Sequence, residues 1–139
     1  MYRGRISGPL MDRIDLHVEV PPVRSADLER PQGEGTATVR ARVEAGRALQ
    51  RARFAEHPSV HCNAQMPTRL VRQFCEPDAD GRTMLRMVVD RLGMSARTYD
   101  RILKVARTIA DLEGSRAVRG SHVAEAVQYR VLDRQAHAA

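Results

Sequence analysis

Apolar and polar residues alternate with period two from Ile14 to Val20, as Ile-Asp-Leu-His-Val-Glu-Val, and the run stops at Pro21-Pro22. Successive side chains of an extended chain point to opposite faces, so the pattern predicts a half-buried strand with His17 on its polar face. After residue 35 the period changes. Thr36 is placed to cap a helix through TATVRARVEAGRALQRARFAE, whose apolar stripe is thin: Val39, Val43 and Phe54, with Gly46 and Gln50 filling the same side. HPSVHCNAQMP breaks that helix, and Pro67 opens a short one with Leu70, Val71 and Phe74 inward. Residues 78–92 carry Met84, Leu85, Val88, Val89 and Leu92 at helical spacing, with Gly93 in the position that ends a helix. Ser95 caps the most regular segment, ARTYDRILKVARTIADLEG. There Tyr99, Ile102, Leu103, Ala106, Ile109 and Ala110 form one face, and Arg97, Arg101 and Lys104 lie opposite. On this helix Asp100 pairs with Lys104, and Arg107 with Asp111, at i,i+4. Ser121 caps a last helix with Val123, Val127 and Val131 inward, and the tail after Arg134 reads as frayed.

The expected class is mainly α, a helical bundle preceded by one strand or arm. Three parts follow: residues 1–22 with the strand, a polar linker at 23–35 that follows Pro21-Pro22 and holds Pro31, Gly33 and Gly35, and the helices of 36–139. A single strand cannot satisfy its own ladder groups. The strand therefore belongs to a sheet that this sequence does not supply, and without it Ile14–Val20 either frays or packs on the helices.

Composition narrows the functional classes. The 139 residues suffice for one domain with a core. Cys62 and Cys75 form no CxxC or Cys/His cluster, which argues against a disulfide framework or zinc site and points to a reducing cytoplasm. No apolar leader or membrane span is present in the sequence, so no membrane partner is expected. Aromatic residues are 4% of the chain, too few for the stacking platforms of single-strand binders. The net charge of +6 is carried almost wholly by arginine, a bias that genomic base composition alone can produce. The excess sits in residues 36–75, where seven arginines face only Glu44 and Glu56. Arg40, Arg47 and Arg51 share one face of the first helix, interrupted by Glu44, and are the candidate nucleic-acid contacts. His57 and His61 bracket a loop near Cys62, but at no common zinc spacing.

Three stretches in order, RISGPLMDRIDLHVEVPPV, SARTYDRILKVARTIADLEG and HVAEAVQYR, resemble the C-terminal part of magnesium-chelatase-like AAA+ ATPases. The resemblance covers almost the whole chain. It is strongest to the bacterial competence-related branch, whose member is a DNA branch-migration helicase. It implies that residues 1–22 close a nucleotide-binding α/β core and that 36–139 form the helical lid domain. It also implies that Arg13 is an arginine finger reaching the γ-phosphate of a neighbouring subunit's ATP. Arginine suits that task, because its planar fork donates two parallel bonds to the equatorial oxygens and never loses its proton. Arg97 matches the sensor-2 arginine, at a helix N-terminus that already favours anions, with Arg101 on the same face a weaker match.

No GxxxxGK[ST] occurs, and no apolar strand ending in Asp-Glu precedes Arg13 to hold Mg²⁺. The expectation is a C-terminal fragment of a longer ATPase, inactive alone. ATP and Mg²⁺ would be held by the parent, with the missing N-terminal core and further copies, usually a ring of six, as partners and with DNA as a possible one. Two other readings stay open: a stand-alone basic helical module binding DNA or RNA through 36–75, and an ATPase subunit that assists metal chelation.

Overall fold

The structure, a computed structural model, describes residue 10 and residues 13–22 and 33–130. Val131 and most of the 23–35 linker fall outside these. The described residues form five helices: α1 Thr36–Arg53, α2 Thr68–Phe74, α3 Ala79–Leu92, α4 Ala96–Leu112 and α5 Gly120–Gln128, with a 3₁₀ turn Asn63–Gln65 ahead of α2. The mainly helical class is as the sequence indicates.

Helix α4 is the axis of the bundle and touches α1, α2, α5 and the 3₁₀ turn. Its apolar stripe is the most continuous in the chain. Ile102, Leu103, Ala106, Ile109 and Ala110 are all buried, while Tyr99, at the edge of the stripe, keeps 37% of its surface exposed. Met66, Leu70, Val71 and Cys75 close over one side, and Val118, Val123 and Ala126 over the other. Each large side chain withdrawn from water contributes about 1.5–3 kcal/mol, so this stripe is the main source of stability. Ser95 caps α4 as expected, its Oγ accepting from Thr98 N at 3.2 Å. Asp100 accepts from Thr68 Oγ1 at 2.7 Å instead of pairing with Lys104, whose Nζ donates to Ala64 O at 2.9 Å. Both side chains thereby tie α4 to the segment around α2.

Helix α3 packs on α5. Their N-terminal ends approach closely at Gly81 and Gly120: a Cβ built on Gly81 would lie 2.8 Å from Pro77 Cβ and 3.4 Å from Gly120 N. Asp78 N donates to Val118 O at 2.9 Å across the same junction, and Asp78 Oδ1 caps α3 through Gly81 N. Gly93 ends α3 in the left-handed region at φ 57°, as its position requires. Two helix starts differ from expectation. Gly35 rather than Thr36 precedes the first turn of α1. Arg119 rather than Ser121 precedes α5, where His122 Nδ1 accepts from Arg119 N at 2.9 Å and Nε2 meets Glu113 Oε2 at 2.8 Å.

Helix α1 lies on the C-terminal end of α4 through little apolar surface. Its N-terminal valines stay exposed, Val39 at 36% and Val43 at 47%; only Gly46 and Gln50 are buried within it, and Gly46 meets Leu112. Polar bonds replace the missing stripe. The Asp111 carboxylate, fully buried, accepts from Arg53 Nη1 at 2.7 Å, Asn63 Nδ2 at 2.8 Å and Arg107 Nε at 3.1 Å. Asn63 in turn binds Arg53 and Gln50, and Arg107 donates to the carbonyls of Ser115 and Arg116. Burial pushes the Arg107 guanidinium below its ordinary value against the pull of Asp111. One carboxylate thus ties α1, the 3₁₀ turn, α4 and the α4–α5 loop together.

Residues 13–22 form no strand: Arg13 stands in a turn, Asp15 in a bend, and the rest has no regular structure. They pack on the bundle, the second of the two expected outcomes, and with inverted facing. His17 is buried at 8% exposure, whereas Leu16, Val18 and Val20 are 49%, 66% and 83% exposed. From the polar face Asp15 pairs with Arg101 and His17 lies against the helices, while the apolar face is exposed.

Candidate functional site

An open cleft of about 1440 Å³ lies between the arm, α2, the end of α3 and the N-terminal half of α4. Its walls are apolar at Met66, Val71, Val89, Met94 and Leu103, and its polar lining is rich in cations: Arg13, Arg72, Arg82, Arg97, Arg101 and Lys104, against Glu76 and Asp100. Arg13 reaches it from a turn in which its N–H donates to Leu10 O at 3.0 Å. Arg97 reaches it from the first turn of α4, whose free N–H groups add positive potential to that wall.

The cations divide by what they already hold. Arg82 donates to Pro77 O at 2.9 Å and pairs with Glu76 at 3.4 Å. Lys104 is bound to Ala64 O, and Arg101 pairs with Asp15 at 3.2 Å. Arg13, Arg72 and Arg97 have no ion-pair partner among the described residues. Arg13 and Arg97 are exposed within the cleft and are thus available to an anion. The structure brings together the two arginines that the sequence singled out 84 positions apart, and assigns Arg101 to the arm. Arg72, Arg82 and Glu76 line the cleft with no signal in the sequence, because the tilt of α2 and α3 against α4 decides which of their faces turns toward it.

By charge these residues suit an anionic group. They do not fit a metal: among the described residues no cluster of three acids, histidines or cysteines is formed. His17, His57, His61 and Cys62 join no such cluster, and both cysteines are free.

Arg40, Arg47 and Arg51 lie elsewhere, exposed along α1. Arg47 and Arg51 border a second hollow of about 230 Å³ with Phe54, His57, Pro58, Val60 and His61, and no carboxylate lines it. Two neighbouring arginines are already engaged, Arg42 with Glu34 at 2.8 Å and Arg53 with Asp111. Among the described residues no helix is long and apolar enough to cross a membrane.

Comparison with known proteins matches residues 33–130 to the family described as magnesium chelatase, subunit ChlI C-terminal, and residues 1–28 to that described as magnesium chelatase, subunit ChlI. The uncharacterized protein YifB of Escherichia coli is 39% identical over 135 residues, covering 96% of this chain and 26% of YifB. Competence protein ComM of Haemophilus influenzae is 37% identical over 135 residues, with the same shares. An uncharacterized protein of Mycobacterium tuberculosis is 36% identical over 129 residues, 93% of this chain and 25% of its own length. The chain spans about a quarter of the length of the curated relatives it matches.

Proposed function

The chain belongs to the magnesium chelatase subunit ChlI family, and from that premise we propose that it is the lid portion of a cytoplasmic oligomeric ATPase, presenting Arg13 and Arg97 to one bound nucleotide. The observation that carries the reading is the shared cleft: an arm and a helix N-terminus, far apart in sequence, turn two uncommitted guanidiniums toward the same space. ATP held there by the rest of the enzyme supplies the phosphoanhydride bond. Arg13 offers the charge that builds on the equatorial oxygens a fixed fork of donors, and Arg97 links the occupancy of the phosphate position to the angle of the lid. With no phosphate loop in this sequence, the reading assigns phosphate cradling and the Mg²⁺ ligands to other parts of the assembly, a ring of further copies among them.

The test is made in a complete ATPase carrying this segment. Arg13→Ala is expected to lower ATP turnover about 10³-fold or more with ATP affinity nearly unchanged. Turnover near normal refutes the finger assignment. Arg97→Ala is expected to lower turnover and also to remove the nucleotide-dependent change in lid position, read by a fluorescent pair across lid and core.

The substrate of the motor is proposed to be DNA, as in branch migration, and the observation favouring this is the second hollow, where Arg47 and Arg51 stand beside His57 and His61 with no carboxylate in the lining. Arg40, Arg47 and Arg51 extend over roughly 16 Å of helix, a length suited to a linear polyanion more than to a compact one. Affinity of the chain for labelled duplex is expected to fall steeply with salt, and Arg47→Ala with Arg51→Ala to flatten that slope by about two units. No salt-sensitive binding by the chain removes this surface from the proposal and leaves assistance to metal chelation as the competing role.

A further inference from the structure

The buried side chain of Arg130 has no part in the cleft, yet it is the largest fully buried side chain among the described residues, at 1% exposure. A guanidinium carries five N–H donors and a charge, so burying one is costly unless it meets acceptors. The Nη1 of Arg130 donates to the carbonyl oxygen of Ile14, 116 positions earlier in the chain. Ile14 is the residue next to Arg13.

Two more bonds hold the same short segment. His17 N donates to Tyr129 O at 2.9 Å, so the arm lies along the C-terminal turn of α5. Asp15 pairs with Arg101 of α4 at 3.2 Å. Two of the three stretches that carry the family resemblance, the one with Asp12-Arg13 and the one ending Gln128-Tyr129-Arg130, are thus joined physically. The Arg101 side chain bridges them to the third, on the helix whose first turn bears Arg97. Among the described residues no strand pairs with the arm, and these bonds hold it instead.

We propose that Arg130 is a positioning residue: its buried guanidinium clamps the Arg13 turn to the helical bundle, so that Arg13 and Arg97 move as one rigid unit. The consequence is a lid that carries its own finger. A change of lid angle then moves both arginines toward or away from the phosphate together, instead of adjusting the sensor while the finger stays with the core. This inference rests on the reading of Arg13 as a finger for its effect on turnover, but the clamp itself does not depend on it.

Two measurements separate these. In amide exchange on the chain, Arg130→Gln is expected to speed exchange at Ile14–His17 by roughly tenfold or more, the worth of one charge-assisted hydrogen bond, while Ile102–Ile109 stay protected. If Arg130→Gln loosens α4 as well, Asp15→Asn, on the exposed side of the clamp, is the second variant and must loosen the arm alone. Unchanged exchange of the arm in both variants overturns the clamp. In the complete ATPase, Arg130→Gln is expected to lower kcat by about 10–100-fold, the cost of a misplaced catalytic group, with ATP affinity retained. Arg13→Ala with Arg130→Gln must then be no slower than Arg13→Ala alone. Losses that add in full overturn the positioning role, since a residue acting through Arg13 has nothing left to position. Normal turnover of Arg13→Ala refutes the finger reading instead, and the exchange measurement then decides the clamp by itself.

Discussion

Replacing Asp111 with alanine tests whether the helical bundle is held at α1 by a buried ionic network or by ordinary packing. From sequence, Asp111 and Arg107 are an i,i+4 pair, a motif that stabilises a helix by about 0.2–0.5 kcal/mol when exposed. In the structure the Asp111 side chain is 0% exposed, and those of Arg107 and Arg53 are 4% and 14% exposed. The carboxylate also accepts from Asn63. Alanine leaves two guanidiniums facing each other without an anion, and breaking such a buried pair costs about 3–5 kcal/mol. The two magnitudes differ by roughly tenfold, so the experiment discriminates. Urea denaturation followed by circular dichroism should show the midpoint falling at constant slope. In a thermal scan, at about 4–8 °C per kcal/mol for a domain near this size, Tm drops by at least ~12 °C. Adding Arg53→Met to Asp111→Ala removes one of the stranded charges, so the double variant should lose less than the sum of its parts, by about 0.5–3 kcal/mol. A loss below ~1 kcal/mol for Asp111→Ala, the range of exposed pairs, would refute the reasoning.

The two cysteines should respond differently to thiol reagents. Burial pushes the Cys75 thiol up to about 12, whereas Cys62 is only half-buried, so iodoacetamide at mildly alkaline pH should modify Cys62 in the native chain and spare Cys75. Because the folded value of Cys75 lies above its ordinary 9.0, its contribution to stability is complete below that pH and is lost as pH rises from there toward 12. Cys75→Ala should flatten the alkaline limb of a stability–pH curve, and an unchanged limb would contradict the assignment. Gly81→Ala should destabilise by about 1–3 kcal/mol, since the new methyl group meets Pro77 Cβ at 2.8 Å and the Pro77 segment must shift. Equal stability of that variant in denaturant would contradict the close approach of Pro77 to the first turn of α3.

How much was legible in advance follows from the kind of force at each place. Helices α2, α3 and α4 stand where periodicity puts them, and Ser95, Gly93 and Pro67 mark their ends, because caps and breakers act within a few residues. Helix α1 was legible as a helix and so was its inward side, where Gly46, Gln50 and Phe54 are buried; how far along that side the burial reaches was not. Val39 and Val43 on that same side stay exposed, because α1 meets the bundle through its C-terminal half, where Gly46 touches Leu112 and Gln50 and Arg53 bond to Asn63 and Asp111. The arm was legible as an extended segment with one apolar face, but not its orientation. His17 turns inward because α5 offers a carbonyl and Arg130 needs an acceptor, both of them more than a hundred positions away.

The residues alone determined that this chain is a helical bundle led by an extended arm with an apolar face. That much needs only local spacing, whereas Arg13 and Arg97 were singled out by the family resemblance of the ordered motifs. Tertiary structure alone decided that the two arginines share a cleft, that Arg101 holds the arm, and that Arg130 and Asp111 are buried charges tying distant segments together. The physical reason is that a charge reads the same in sequence whether water or protein surrounds it. Only the fold determines which guanidiniums find acceptors inside and which remain exposed in a cleft.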